Sequence, residues 1–128
     1  MKLDADIVML LKENLNMNND LKYMRIAFKE AKKAYDLNEI PVGCVIVCDD
    51  KIVAKAYNLR NTKRNAIYHA EVLAINKACK KLDRWILDDC TMYVTMEPCI
   101  MCAGTILQAR IGRVVYGAKQ ERYGVVDT

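Results

Sequence analysis

The chain has a single histidine, His69, so no metal centre built on two or three imidazoles is available to it. It also lacks an apolar run long enough to span a bilayer. The early apolar stretch Ile7-Val8-Met9-Leu10-Leu11 follows Asp4 and Asp6 and is closed by Lys12 and Glu13, too short and too acidic for a signal peptide. With no membrane partner expected, the predicted location is cytoplasmic. Internal repeats and low-complexity tracts are missing, and one domain is the natural reading of 128 residues. A strong charge of one sign is lacking too. Twenty Lys and Arg stand against sixteen Asp and Glu, a net charge of +4, which permits a polyanionic partner without requiring one.

What the chain does have is 53% hydrophobic residues, enough for a buried core, and six cysteines. Cys44, Cys48, Cys79 and Cys90 sit inside apolar or periodic segments, where a free thiol packs as a small hydrophobe. Reduced core thiols are therefore expected at these four positions rather than a disulfide framework. Only Cys99 and Cys102 have metal-ligand spacing.

Residues 1–20 read as an N-terminal extension, a short helix and linker ending in the polar stretch Asn14 to Asp20, with the domain proper over 21–128. Leu21, Met24, Phe28, Ala31 and Tyr35 recur at helical spacing, with Asp20 as N-cap and Pro41 beyond the end. Val42 to Cys48 is a β-branched and apolar run, as for a strand covered on both faces. Asp49-Asp50 turns it into a second strand, Ile52 to Tyr57. The polar loop Asn58 to Asn65 leads to a helix with the stripe Val72, Ile75, Cys79 and Leu82. A third strand follows from Cys90 to Met96, then a helix opened by Pro98 and reaching Arg110, then a fourth strand from Val114 to Gly117. The order α-β-β-α-β-α-β predicts an α/β fold in which helices cover a mixed sheet.

Two short segments carry chemistry: His69-Ala70-Glu71 and Pro98-Cys99-Ile100-Met101-Cys102. Cys99 and Cys102 are three apart at a helix start, so both sulfurs project from one face, where the helix N-terminus favours thiolate. Two thiolates and an imidazole fill three of the four tetrahedral positions of zinc and leave the fourth open, the mark of a catalytic site. A fourth thiol from among the other cysteines would instead make the site structural. Glu71, two residues after the histidine, can point at water in the site without being a ligand. Its carboxylate can take a proton there and deliver it to a substrate ring nitrogen and then to a departing amine. A lone CxxC or a lone His is weak, but the two segments together, each opening a helix, resemble the signature of the zinc deaminases.

The stretch Tyr93 to Gly104 strongly resembles the tRNA adenosine deaminases of bacteria, as do Ile40-Pro41-Val42-Gly43, Ala70-Glu71 and Arg110 to Ala118. The likeness runs from about Tyr23 to Ala118. It implies a three-layer α/β/α cytidine-deaminase-like fold, one Zn2+ per subunit, a homodimer, and conversion of adenosine to inosine at the wobble position of a tRNA anticodon loop. It further implies that Asn58 hydrogen-bonds the base, that the Ala70 backbone helps orient it, and that Glu71 shuttles protons. Pro98 and the Cys99 backbone would frame the hydroxyl of the tetrahedral intermediate.

Other readings stand beside these. Asn58 at a strand end is also a turn former, and the basic loop with Arg60, Lys63 and Arg64 is either a phosphate contact or a solvated loop. Trp85 either stacks on a base or packs. Relative to the family, Gln120 stands at an acidic position, Val125-Val126 replace small residues, and Tyr68 replaces a small residue before the histidine. The family continues into another strand and a basic C-terminal helix, so the fold is expected to be C-terminally shortened, which weakens tRNA binding more than chemistry. Guanine and cytosine deaminases share the zinc set, and Lys77 to Leu82 suits a guanine deaminase equally well. A free-base deaminase and a non-catalytic zinc-stabilised partner subunit remain open alternatives.

Overall fold

The computed structural model describes residues 17–118. Part of the expected N-terminal extension, and the departures at Gln120 and Val125-Val126, lie outside the described residues. The elements are α1 (Met17–Asp36), β1 (Gly43–Cys48), β2 (Lys51–Tyr57), α2 (Ala70–Leu82), β3 (Cys90–Met96), α3 (Ile100–Ala109) and β4 (Arg113–Ala118). This is the expected order, and the third strand has the expected bounds.

One helix start differs from expectation. Helix α1 begins at Met17 rather than at Leu21, so Asp20 lies in its first turn and is not its N-cap. The Asp20 carboxylate turns inward instead. It accepts hydrogen bonds from Tyr93 Oη at 2.6 Å and from Arg113 Nη1 and Nη2 at 2.9 and 2.6 Å. These partners lie far along the chain, so a local pattern of polar residues before an apolar stripe could not reveal them.

Four strands form one mixed sheet in the order β2-β1-β3-β4. Strand β1 pairs antiparallel with both β2 and β3, whereas β3 and β4 run parallel and are joined through α3. The two inner strands are almost wholly buried, which explains their continuous apolar sequence. Between β1 and β2, Asp49 and Asp50 both take left-handed backbone angles (φ 53° and 58°). That is the geometry of a two-residue type I′ turn, built here on two aspartates.

The faces of β1 show how the layers stack. A Cβ on Gly43 would overlap the backbone of Ala27 and Ala31, so α1 lies directly on that face. Cys44, one residue on, points to the opposite face, where it senses the charge of Glu71 on α2. Helices α2 and α3 pack against each other on this second side. The arrangement is the three-layer α/β/α architecture. Helix α2 buries Ala70, Ala74 and Ala78 along with Val72 and Ile75, while Cys79 and Leu82 of the expected stripe are only half-buried. Three alanines spaced by four let the helix approach the sheet closely, and an apolar stripe read by bulk alone passes over them.

Because β1 runs against both neighbours, three segments meet at one end of the sheet. They are Ile40–Val42 before β1, Asn58 after β2, and Glu97–Cys99 after β3. The N-terminus of α2 also lines this end.

Candidate active site

His69 and Cys99 occupy the N-cap positions of α2 and α3, both with extended backbone angles and neither making a side-chain cap hydrogen bond. A Ser, Thr, Asp or Asn in either place would stabilise its helix by about 1 kcal/mol. Both helices forgo that, and the two side chains are left to converge. Cys102 follows in the first turn of α3 and is buried.

The His69 Nδ1 atom lies 3.6 Å from Cys99 Sγ and 3.5 Å from Cys102 Sγ. Tetrahedral zinc with ordinary Zn–N and Zn–S bonds needs N···S separations of about 3.5 Å, so the three donors fit that ion. Burial, then the charge of Arg60, holds the His69 imidazolium pKa below its ordinary value and leaves a neutral ring with a lone pair to donate. Burial also pushes the Cys102 thiol far up, and the nearby Glu71 and Cys99 add to the shift. A thiolate there therefore depends on a bound cation. None of the other cysteines joins this cluster among the described residues, so the fourth position has no thiol to close it.

Glu71, in the first turn of α2, is 4% exposed. Its Oε1 has no hydrogen-bond partner. Burial raises the carboxyl pKa, and its own backbone N–H and the Cys102 thiol only partly offset this. A buried carboxylate oxygen left unpaired costs folding energy, and such costs gather at sites of function.

The Glu71 carboxylate faces a cavity lined also by Ile40, Val42, Asn58, His69, Ala70, Met96, Glu97 and Cys99. Five of the seven residues singled out in the sequence are thus brought to one cavity or its wall. Cys102 and Pro98 are buried behind it. Asn58 satisfies both of its sequence readings. Its Nδ2 donates to the Ile40 carbonyl at 3.3 Å, its Oδ1 accepts from the Arg60 N–H at 3.1 Å, and it still lines the cavity. One donor hydrogen and one lone pair remain for a ligand.

Sequence reasoning did not single out Met96 and Glu97 as cavity walls, and it missed Glu39 altogether. The buried Glu39 carboxylate accepts the Asn61 N–H at 3.0 Å and the Thr62 N–H at 2.6 Å, tying the basic loop to the end of α1. Burial opposes ionisation there, but those hydrogen bonds win and hold the Glu39 carboxyl below its usual range. The only sequence signal was an acidic residue just before Ile40-Pro41. Arg60, Lys63 and Arg64 are exposed on that loop beside the cavity. Trp85 lies away from the cavity: it is 59% exposed, with the Arg110 guanidinium 5.5 Å from its ring centre. Tyr68 is half-buried and lies off the cavity lining.

Residues 17–118 match the family model for the cytidine and deoxycytidylate deaminase zinc-binding region. The tRNA-specific adenosine deaminase of Bacillus subtilis is 47% identical over 112 residues, which cover 88% of this chain and 70% of that protein. The Rickettsia bellii protein of the same name is also 47% identical, with 82% of this chain and 74% of that one covered. The Streptococcus pyogenes relative is 47% identical with 62% of its length spanned. Among solved structures, one from a study of A-to-I editing by tRNA:A34 deaminases superposes with a TM-score of 0.82 at 37% identity, covering 84% of this chain and 78% of that one. A guanine deaminase from Bacillus subtilis superposes with a TM-score of 0.74 at 40% identity, covering 77% and 63%. With most of the described fold inside the family match and the three metal donors within it, the chain belongs to the zinc-binding cytidine and deoxycytidylate deaminase family.

Proposed function

We propose that this chain removes the amine of adenosine hydrolytically, giving inosine at the wobble position of a tRNA anticodon, and works as a homodimer in the cytoplasm. The observation that carries the chemistry is the unpaired, buried Glu71 Oε1 beside the His69, Cys99 and Cys102 donors. The names of the relatives at 47% identity support the choice of substrate.

His69, Cys99 and Cys102 would hold the zinc, which when bound supplies a Lewis acid that makes water acidic near neutral pH. Glu71, its pKa already raised by burial, takes the proton from the attacking water. It then delivers that proton to the purine ring nitrogen next to the amine-bearing carbon, and afterwards carries the proton of the newly added hydroxyl to the amine, which leaves as ammonia while the carbonyl forms. Asn58, fixed between the Ile40 carbonyl and the Arg60 N–H, offers its remaining donor and acceptor to the base edge. The Ala70 N–H, one of the first-turn amides that a helix leaves unpaired, points the ring the same way. Pro98 stiffens the approach to α3, and the Cys99 backbone frames the hydroxyl that forms on the ring carbon. Arg60, Lys63 and Arg64 lie where anticodon phosphates would pass.

Support for a dimer comes from α3. No charged residue falls within Ile100–Ala109, and Ile100 and Leu107 are 74% and 76% exposed. Gly104 stands between them with open space over its Cα, so another backbone can approach closely there. Among the described residues, no helix is long and apolar enough to cross a membrane, in keeping with an enzyme acting on tRNA.

The direct test incubates the zinc-loaded protein with an anticodon stem-loop bearing adenosine at the wobble position, and reads inosine by mass spectrometry. Inosine is expected. No inosine, with ammonia released from guanine or cytosine instead, would overturn the substrate; no ammonia from any of them would overturn the enzyme.

A further inference from the structure

The end of the sheet opposite the zinc donors carries a second pair of thiols. The last residue of β1 and the first of β3 are both cysteines, and the ladder sets Cys48 directly against Cys90. The Cys90 N–H donates to the Leu87 carbonyl at 3.0 Å, and its carbonyl accepts the Gly112 N–H at 3.2 Å. Both groups therefore face away from β1, and the pair is of the narrow kind without mutual backbone hydrogen bonds. In such pairs the Cα atoms are about 4.5 Å apart and the side chains lie close on one face, a separation that a disulfide spans. Both thiols are free.

Their surroundings are polar and charged. The two sulfurs and the Asp89 carboxylate lie within 4.8 Å of one another. Asp89 accepts the Cys48 S–H at 3.3 Å and the Cys90 S–H at 3.6 Å. Arg84 grips the same carboxylate through Nη2 at 2.7 and 3.0 Å, and that nitrogen also lies 3.6 Å from Cys48 Sγ. Cys48 is half-buried whereas Cys90 is 1% exposed. Four residue steps along β1 lead from Cys44 to Cys48, about 13 Å of strand, so this cluster is apart from the deaminase site.

We propose that Cys48 and Cys90 form a dithiol site that reacts reversibly with small disulfides of the glutathione class and closes to a Cys48–Cys90 disulfide. Exposure makes Cys48, rather than the buried Cys90, the first nucleophile. Its proton passes to solvent, and its thiolate attacks one sulfur of the small disulfide. A mixed disulfide forms and one small thiolate leaves, taking up a proton. Burial, with Cys48 and Asp89 beside it, pushes the Cys90 thiol up to about 12, so it stays protonated until the mixed disulfide stands against it. Cys90 sulfur then attacks Cys48 sulfur, and its proton leaves with the second small thiol. Two protein thiols lose two electrons and two protons, and one small disulfide gains them as two thiols. Arg84 disfavours the other use of such a cluster, a second metal ion, because it occupies both carboxylate oxygens and brings its own positive charge. The disulfide would enclose the segment that bears Asn58, His69 and Glu71.

The test treats the zinc-loaded full chain with oxidised glutathione and reads intact mass, linked peptides and zinc content. A loss of two hydrogens, a Cys48–Cys90 linked peptide, unchanged zinc and full reversal by dithiothreitol are expected. Cys90→Ser should stop at a glutathione adduct on Cys48, and Cys48→Ser, at the more exposed position, should lose both adduct and link. Unreacted thiols in the unsubstituted chain, an adduct on Cys48 that Cys90 never resolves, or a link between other cysteines would overturn the proposal. The unsubstituted chain decides even if the Cys90 variant fails to fold.

Discussion

Two buried carboxylates show how the same group is used in opposite ways. Asp20 is 1% exposed, and burial alone would push its carboxyl up. Hydrogen bonds from Arg113 and Tyr93, with the guanidinium charge, outweigh that and hold it below the ordinary value. Glu71 is almost as buried but keeps Oε1 unpaired, and its pKa is raised. The first carboxylate secures the fold; the second lines the cavity with one oxygen unpaired. Glu71→Gln should therefore keep its zinc, measured by metal analysis, while inosine formation falls by about 10²–10⁴-fold, the usual worth of a general acid–base group. Loss of metal in that variant would mean that Glu71 is a ligand after all. Asp20→Asn leaves the Arg113 charge poorly matched. Breaking a buried pair costs about 3–5 kcal/mol, and the lower end applies because Arg113 is about a third exposed. The sign with pH follows from the lowered pKa. The ion pair contributes fully above the ordinary aspartate range near pH 4 and is lost as the pH falls through the depressed value. Urea unfolding should show a wide gap between wild type and Asp20→Asn at pH 7 that narrows near pH 3.

At the junction of α1 and β1, contacts between elements position the site more than any single motif does. Gly43 lies under α1, where a Cβ would meet the backbone of Ala27 and Ala31, so Gly43→Ala should destabilise the chain by about 1–3 kcal/mol in urea unfolding. Glu39, just upstream, holds the Asn61 and Thr62 amides and with them the loop that follows Asn58. Removing both bonds in Glu39→Ala should raise KM about ten-fold, some 1.4 kcal/mol, while zinc content stays whole and kcat changes little. An equal loss in kcat would place Glu39 in the chemistry itself. These contacts also mark what could be read beforehand. The cluster of His69, Cys99 and Cys102 with Glu71 beside it was legible because each motif fits within one helix start, His69 to Glu71 and Cys99 to Cys102. The order of elements along the chain was legible from apolar runs broken by Asp49-Asp50 and by Pro98, whereas the strand order within the sheet was not. Glu39, Met96 and Glu97 were not singled out, since the cavity wall is drawn from segments that meet only once the sheet has formed. Asp20 was misread for the same reason: its partner Arg113 is on the far edge of the described sheet.

For the molecule as a whole, the remaining question is what covers α3. A helix with no charged residue that leaves Ile100 and Leu107 three-quarters exposed presents a narrow apolar stripe to its surroundings. Solvent-facing helices of single-copy proteins carry polar residues in such places. In a two-fold dimer each exposed residue counts twice, because the same patch serves both partners. Leu107→Asp would then place two carboxylates in an apolar seam, and opposed like charges cost several kcal/mol. The substitution changes nothing buried in the single chain, so zinc content and circular dichroism should stay as in the wild type. Light scattering at micromolar concentration should show a dimer for the wild type and a monomer for Leu107→Asp. If the neighbouring subunit completes each cavity, inosine formation should fall with the dimer and recover as protein concentration drives reassociation. A monomeric wild type that is fully active would remove the dimer from the proposed function and leave Ile100 and Leu107 exposed for some other reason. A dimer that survives the substitution would place the two-fold contact on another face.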